Sequence, residues 1–522
     1  DHEPKDDIAP FEAADLRRLA FWMATGSGKT LLLHANILQF RRHLAAAGKK
    51  VNHILLIAPR ELLANQHLDE LRQSGIHAVR FSREGTLDGR DAVLVTEITK
   101  LADTDGKETV AVEAFGSDNL VLIDEGHQGL ARGEAGVWKT RRDALCRDGF
   151  AFEYSATFGQ AVVAASDDGM AREYAKAVLF DYAYKRFYDD GYGKEYSVLN
   201  LKEEQTVKLH QRYLVGALMW FYQQLRSYEE SAGSFVPFGI DRPLWVCVGA
   251  RVTRESEREL SDVETIVLAL QQFVSRRAES VEHLRRLLSG SSGLRDADDR
   301  DVFDGLFVAD WARGETSETI YDDVLRRVFH AEASGSVHVQ ERRGSDGELV
   351  LRVGASRPFG LIKVGDASKL ARRLEEKGLA EGLRRDPPVS VDSPLFDALR
   401  RSDNDVHVLI GSRKFTEGWD TSRVSTLGLM NLGRTEGAQV IQLFGRGVRL
   451  RGWKGCLKRA SALNDPSIPR PPMLEQLETL GVFGLRAEYV ASFQDYLKSE
   501  RVPERSRGHA GNPVGIPVDV EI

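Results

Sequence analysis

The segment FWMATGSGKT, residues 21–30, decides the fold of this chain because it has the pattern of a phosphate-binding loop. Glycines in such a loop let successive backbone N–H groups point at one anion, at the positive end of the following helix. Gly26 and Gly28 are in place for this, and the helical pattern TLLLHANILQFRRHLAAAG follows directly. The usual pattern has a further glycine five positions before Gly28, where this chain has Met23. The segment alone is therefore also compatible with a glycine turn that begins an ordinary helix.

Two side chains of this loop have specific expected roles. Lys29 is expected to pair with the β- and γ-phosphates of a nucleotide, and the Thr30 hydroxyl to bind Mg²⁺. The predicted nucleotide-binding residues of the loop are Thr25, Gly26, Ser27, Gly28, Lys29 and Thr30.

A second motif, NLVLIDEGHQG, ends an apolar strand pattern in two adjacent carboxylates, Asp124 and Glu125. Such a pair needs a nearby cation if it is not in water. Asp124 is suited to bind Mg²⁺, directly or through water, and Glu125 to orient and deprotonate an attacking water molecule. An acidic pair at a strand end is commonly just solvated. Its position at a domain-sized interval after a phosphate loop favours a catalytic site.

A third motif, QVIQLFGRGVRLRG, places Gln442, Arg446 and Arg449 in the pattern Q-x-x-G-R-x-x-R. Two arginines three residues apart lie on one helical face and are able to reach the same phosphate. An arginine in that position stabilises the charge on a transferring phosphoryl group. A solvated basic helix end is the alternative interpretation of this motif taken alone.

Composition excludes several classes of protein. The 522 residues carry a formal net charge of -7, which still allows a local basic groove for nucleic acid. The three cysteines, Cys146, Cys247 and Cys456, show no C-x-x-C pairing, so neither a zinc site nor a disulfide framework is predicted. No apolar run approaches the roughly 20 residues that span a bilayer, and no signal peptide is evident. We expect a cytoplasmic protein without a membrane partner, and, since it begins at Asp1, a piece of a longer chain.

Short apolar strand patterns alternate with longer helical patterns, which is typical of parallel sheets covered by crossover helices. We predict a first domain over residues 1–194, a linker helix over 195–241, and a second domain over 242–452 with an insertion at about 254–395. A hairpin with its turn at residues 345–347 is expected within the insertion. Residues 453–522 are predicted to form a small helical C-terminal extension.

The motifs occur in the order typical of superfamily 2 helicases, and the chain resembles the core of that superfamily from about residue 21 to 451. MATGSGKT matches motif I, APRELLANQ motif Ia, DEGH motif II, SAT motif III, LWVCVGA motif IV loosely, FTEGWD motif V and QLFGRGVR motif VI. Loops of this superfamily keep T-G-x-G-K-T and relax the earlier glycine. The stretches EGWD, DEGH, GLIKVGDASKLARRL and LETLGVFGLRAEYVASF most resemble the motor subunit of type III restriction enzymes and related DEAD/DEAH-box-like defence helicases.

The resemblance implies an α/β fold of two tandem RecA-like P-loop NTPase domains that close on ATP and Mg²⁺. It implies a nucleic-acid-dependent ATP hydrolase that translocates on DNA, usually duplex, with limited or no strand separation. A nuclease domain in the same longer chain, or a modification or defence subunit, is the implied partner. An RNA helicase, or an ATP-gated clamp or scaffold with little turnover, remains the alternative.

The resemblance also assigns individual roles. Gln442 would sense the γ-phosphate that Arg446 and Arg449 contact. The residues implied to link ATP state to domain movement are His127, Ser155 and Thr157. Those implied to approach the nucleotide from the second domain are Gly418 and Asp420. The implied contacts to nucleic-acid phosphates are Arg60, Thr96, Lys414 and Thr416.

The chain departs from the family pattern in two places. No glutamine motif that reads adenine is evident before residue 21, so base preference stays open. After Arg451 no P-D…(D/E)-x-K core is found, so this chain is not expected to cut DNA by itself.

Overall fold

The computed structural model describes residues 10–81, 92–104, 109–126, 135–158, 168–201, 207–249, 261–296, 298–307, 314–345, 347–412, 421–431, 437–485 and 520–521. The chain divides into two compact units, Asp1–Phe187 and Tyr188–Ile522. Within the described part, none of the helices combines the length and apolar character that crossing a bilayer requires.

The first unit is built on a seven-stranded sheet in which every pairing is parallel. Its strands are β1 (Arg18–Met23), β2 (Ile54–Ala58), β3 (Ala78–Arg80), β4 (Val93–Glu97), β7 (Leu120–Asp124), β8 (Phe150–Ser155) and β9 (Val178–Tyr182). They lie in the order β3-β4-β2-β7-β8-β1-β9. A separate two-stranded sheet is formed by β5 (Leu101–Ala102) and β6 (Val110–Ala111). The helices are α1 (Lys29–Ala46), α2 (Glu61–Gln73), α3 (Ala135–Leu145), α4 (Asp168–Ala177) and α5 (Tyr184–Asp189), the last of which crosses into the second unit.

The strands of this sheet are buried on both faces, which explains their unbroken apolar sequences. In β2, Leu56 packs into one hydrophobic cluster, and its neighbours Leu55 and Ile57 pack into another. The first cluster also contains Leu33 of α1 and Leu71 of α2. Because successive side chains of a strand point to opposite faces, the apolar run supplies a core on each side of the sheet.

Strand β8 lies between β1 and β7, and all three run parallel. Their carboxyl ends therefore meet at one edge of the sheet. The phosphate loop follows β1, Asp124 ends β7, and Ser155 ends β8. The topology thus brings motifs I, II and III, which are distant in sequence, to the same edge.

The second unit contains a ten-stranded mixed sheet. Its strands are β10 (Glu195–Leu201), β11 (Leu244–Gly249), β12 (Val337–Arg343), β13 (Glu348–Val353), β14 (Gly360–Lys363), β15 (Arg384–Ser390), β16 (Val408–Ser412), β17 (Val424–Met430), β18 (Thr479–Leu485) and β19 (Val520–Glu521). They lie in the order β15-β12-β13-β14-β16-β11-β17-β18-β10-β19. Strand β13 is antiparallel to both neighbours, and the other pairings are parallel.

The helices of this unit surround the sheet and supply much of its core. They are α6 (Val207–Phe235), α7 (Asp262–Ser275), α8 (Arg277–Leu288), α9 (Ser317–Phe329), α10 (Ala367–Gly378), α11 (Leu395–Ala398), α12 (Gly437–Gly447) and α13 (Leu474–Leu477). The predicted fold class, an α/β chain with two units built on largely parallel sheets, is confirmed.

The structure differs from the predicted organisation around the linker. The domain prediction placed 195–241 in a linker helix, but Glu195–Leu201 is a strand paired with β18. Helix α6 is not exposed like a linker, since Tyr213, Trp220 and Phe221 are at most 2% exposed in the core of the second unit. Its apolar residues extend around the helix, which is typical of a helix packed on several sides.

The structure also tests the predicted hairpin and the predicted helical C-terminal part of the second unit. The hairpin predicted in the insertion is confirmed as β12 and β13, but these strands extend the main sheet instead of standing apart from it. The helical interpretation of the C-terminal part is wrong for Thr479–Leu485, which forms a fully buried strand between β17 and β10. Apolar residues on both faces of a short segment suit a buried strand as well as a helix, and the tertiary context decides between them. Most of the rest of the predicted helical extension, residues 486–519, lies outside the described residues.

Candidate nucleotide-binding and hydrolysis site

The phosphate loop has the backbone conformation that its glycines permit. Gly26 has φ +86° and Gly28 has φ +96°, both in the left-handed region that favours glycine. Helix α1 begins at Lys29, and no side chain caps its N-terminus. The loop is held to the sheet by the Ala24 N–H, which donates to the Tyr182 carbonyl of β9 at 2.9 Å. The positive end of an 18-residue helix thus lies behind a glycine turn.

Lys29 and Glu125 form the central ion pair of the site. The Nζ atom of Lys29 donates to Oε1 of Glu125 at 3.0 Å, and both side chains are 13% exposed. Glu125 has φ +54°, a conformation that side-chain-bearing residues rarely adopt. Its N–H donates to Oδ1 of Asp124 at 3.0 Å. Motif I and motif II therefore meet directly through the side chains for which the sequence predicts catalytic roles.

The sequence interpretation missed His67, which contacts the predicted metal ligand. Its Nε2 lies 2.8 Å from Oδ2 of Asp124, and the imidazole is 4% exposed. Burial lowers the pKa of His67, but the hydrogen bond to Asp124 and the charges of Asp124 and Glu70 outweigh burial and raise it. A signal was present, because the buried face of α2 consists of Ala64, His67 and Leu71. A polar residue on an otherwise apolar helix face needs a partner across the interface.

Motif III lies at the end of β8, where Ser155 and Thr157 are completely buried. The Thr157 N–H donates to the Ser155 Oγ at 3.0 Å, and the two hydroxyl oxygens are 3.4 Å apart. The carbonyl between them, of Ala156, accepts from the Nε1 of Trp22 at 3.1 Å. Trp22 belongs to β1, so motif III is hydrogen-bonded to the strand that leads into the phosphate loop.

A buried charge network lies beneath motif II. Glu153, 1% exposed, accepts from the Arg142 guanidinium at 2.9 Å and from the Tyr174 hydroxyl at 2.6 Å. Arg142 also donates to Glu173 at 2.8 Å, and the neighbouring guanidiniums hold the pKa of that carboxyl down at about 2 despite its burial. A Cβ built on Gly126 would lie 3.2 Å from Oε2 of Glu153. The network thus packs directly against the backbone that follows Glu125.

The residues of this edge fit a Mg²⁺–nucleotide. The loop supplies backbone N–H groups and Lys29, and the buried Thr25 Oγ1 has no hydrogen-bond partner among the described residues. No group of three or more His, Cys, Asp or Glu side chains within those residues is arranged to hold a metal. Mg²⁺ typically takes one or two protein ligands plus phosphate oxygens and water. Thr30 and Asp124 are the residues that would hold it.

The structure also describes Arg60 and Thr96, the two predicted nucleic-acid contacts of the first unit. Arg60 is exposed and occupies the N-cap position of α2, where a bound phosphate would meet the helix N-terminus. Thr96 is 2% exposed, and its Oγ1 has no hydrogen-bond partner in the described part of the chain. The predicted residues that lie outside the described residues are His127, Lys414, Thr416, Gly418 and Asp420.

In the second unit, Gln442 and Arg446 lie on α12, and Arg449 follows its end. The Arg449 N–H donates to the Arg446 carbonyl at 3.2 Å. This hydrogen bond adds a turn after the last helical residue, Gly447. Gln442 is 8% exposed, and both arginines are half-buried. Gly447 permits the close packing of this helix, because a Cβ there would lie 2.8 Å from Leu480 of β18. Gln442 and Arg446 thus share one helix, whereas Arg449 lies two residues beyond its end.

The parallel sheet, the glycine loop and the acidic strand end give the first unit the features of a P-loop NTPase domain. Comparison with protein families refines this class. Residues 6–159 match the family model described as type III restriction enzyme, res subunit. The match lies within the first unit and agrees with the resemblance that the motifs indicate.

Solved structures that resemble the chain include Dbp5 of S. cerevisiae bound to RNA and ADP BeF3. It is 12% identical, with 93% of this chain and 84% of that chain covered and a TM-score of 0.37. Another is the helicase domain of Pyrococcus furiosus Hef, which is 12% identical, with 93% of this chain and 96% of that chain covered and a TM-score of 0.35. No curated protein sequence matches this chain significantly.

Proposed function

We propose that this chain is an ATP-dependent DNA translocase of a restriction or phage-defence system, working in the cytoplasm. The observation that carries the proposal is the 3.0 Å contact between Lys29 and Glu125, which lies beside Asp124. This contact is at the sheet edge where the glycine loop follows β1. A phosphate-binding lysine and a candidate general base already in contact are the parts that ATP hydrolysis needs.

Each side chain has a defined task in the proposed reaction. Lys29 exchanges the Glu125 carboxylate for the phosphates of ATP, and the released carboxylate accepts a proton from the attacking water. Thr30 and Asp124 are the proposed Mg²⁺ ligands, and Mg²⁺ supplies neutralisation of the phosphate charge. Gln442, Arg446 and Arg449 are proposed to sense and stabilise that charge during hydrolysis.

The choice of DNA rests on the restriction-subunit family of the first unit and on the resemblance of the motifs. Arg60 is the described residue best placed for a phosphate contact, since it is exposed at a helix N-terminus. Contacts of this kind are independent of base sequence and weaken strongly with salt. A nuclease domain of the same longer protein, or a modification subunit, is the proposed partner.

The test is ATP hydrolysis by the purified chain with duplex DNA, single-stranded DNA or RNA at several salt concentrations. We expect duplex DNA to stimulate hydrolysis, and Lys29→Ala and Glu125→Gln to abolish it. Matched controls are Lys49→Ala and Glu113→Gln, which change exposed residues and are expected to leave the rate unaltered.

The possible outcomes separate the candidate functions. Stimulation by RNA alone overturns the choice of DNA and supports an RNA helicase. ATP binding without turnover above the Lys29→Ala level, whatever the nucleic acid, overturns the motor and supports an ATP-gated clamp.

A further inference from the structure

Both oxygens of the Asp124 carboxylate have a protein donor. Oδ1 accepts from the Glu125 N–H at 3.0 Å, and Oδ2 accepts from Nε2 of His67 at 2.8 Å. His67 itself is held in place by burial, since it is 4% exposed between Ala64 and Leu71 on the inner face of α2. Two donors on different elements fix both the position and the plane of a carboxylate more tightly than either donor alone.

We propose that His67 is a positioning residue that sets the orientation of Asp124 for Mg²⁺ and makes that orientation depend on helix α2. This inference rests on the proposed function, because it assigns a regulator to the same site. His67 does not touch the nucleotide in this assignment. It acts through Asp124, as a residue in hydrogen-bond contact with a metal ligand typically does.

The alternative is that His67 only fills the interface between α2 and the sheet. Its Nδ1 forms no hydrogen bond with the described residues, and the nearest carboxylate oxygen, of Glu70, is 3.9 Å away. The hydrogen bond to Asp124 is thus the polar contact that a substitution at this position removes. A packing role predicts that a leucine, of similar size and apolar, substitutes without effect on Mg²⁺.

The experiment measures binding of a fluorescent, non-hydrolysable ATP analogue to the full chain as Mg²⁺ is titrated. We expect His67→Leu to raise the Mg²⁺ midpoint about 10-fold to 100-fold. Binding of the analogue without Mg²⁺ should stay unchanged. His67→Gln, whose amide retains a donor, should restore part of the affinity. His43→Gln, at an exposed position in the last turn of α1, is the matched control.

A wild-type Mg²⁺ midpoint in both His67 variants overturns the positioning role. If His67→Leu does not fold, His67→Ala, which also lacks a donor, takes its place in the same comparison. The readout needs no turnover, so a chain that binds the analogue without hydrolysing ATP contradicts the proposed motor and leaves the role of His67 testable.

Discussion

The ammonium of Lys29 and the carboxylate of Glu125 are in contact at 3.0 Å, although 96 residues separate them in sequence. Each side chain is 13% exposed, so the pair is largely shielded from water. A nucleotide phosphate and Glu125 compete for the same lysine, and the pair must open before either residue acts on ATP. This competition determines how the Glu125→Gln substitution changes the affinity for ATP.

Glu125→Gln is expected to lower the ATP hydrolysis rate by about 10²-fold to 10⁴-fold, because the candidate general base is lost. Its dissociation constant for ATP is expected to stay equal or to fall, since a neutral amide competes less for Lys29. Calorimetry with ATP and Mg²⁺ measures the affinity, and Lys29→Ala should weaken it. Weaker ATP binding by Glu125→Gln than by the wild type would contradict this account of the ion pair.

Arg446→Ala and Arg449→Ala are each expected to lower kcat about 10³-fold if they stabilise the transferring phosphoryl group. The folded state should change little, since both side chains are half-buried at the end of α12. Steady-state kinetics measure the effect. Arg401→Ala is the matched control, because that arginine is exposed and pairs with Asp403 at 2.8 Å. Equal rates in all three variants contradict a role for this motif in hydrolysis.

Glu153→Ala is expected to destabilise the first unit by about 3–5 kcal/mol, because it leaves the buried Arg142 charge without one of its carboxylates. Chemical denaturation followed by circular dichroism measures the change. Asp403→Ala removes an exposed ion pair and should have little effect on the same measurement. A small effect of Glu153→Ala would show that Glu173 and Asp143 compensate the guanidinium.

The stability of the second unit should depend on pH through Glu478. Burial raises the pKa of this carboxyl from 4.5 to about 7, and the Ala460 N–H and the charges of Arg470 and Lys194 only partly oppose it. The folded state therefore binds the proton more tightly than the unfolded state, and stability falls as pH rises from about 4.5 to about 7. Lys194, whose pKa burial lowers to about 8, stays largely protonated in this window.

Glu478→Gln removes this titration, because the amide stays neutral. Relative to the wild type, the variant should gain about 1.4 kcal/mol of unfolding free energy for each pH unit within the window. Denaturation at pH 5, 6 and 7 measures the difference. Parallel pH profiles of the two proteins would show that the carboxyl has an ordinary pKa.

Gly481→Ala should destabilise the second unit by about 1–3 kcal/mol through overpacking. A Cβ at this position of β18 would lie 2.2 Å from Nε1 of the buried Trp220. Gly233→Ala is the matched control, since its Cβ would meet no atom within 4 Å. That variant lies in α6, so it should be neutral or stabilising by up to about 1 kcal/mol. Thermal unfolding of both variants tests the difference, and equal midpoints would contradict the tight contact of α6 with β18.

The local parts of the site could be predicted because their chemistry is encoded over a few residues. The glycine turn needs Gly26 and Gly28 for their positive φ, and the acidic pair ends an apolar strand that is recognisable on its own. The hairpin of β12 and β13 was equally local, because its turn and its alternating strands are neighbours in sequence.

The sequence by itself therefore determined the α/β class and the order of the motifs, and it predicted Lys29, Asp124 and Glu125 as residues of one nucleotide site. Only the tertiary structure decided that Thr479–Leu485 is a strand inside the second sheet and that His67 contacts Asp124. The physical reason is that burial and hydrogen-bond partners of these residues come from segments far away in the chain. A short apolar run or a single histidine has no periodicity that identifies such a partner, so packing alone selects it.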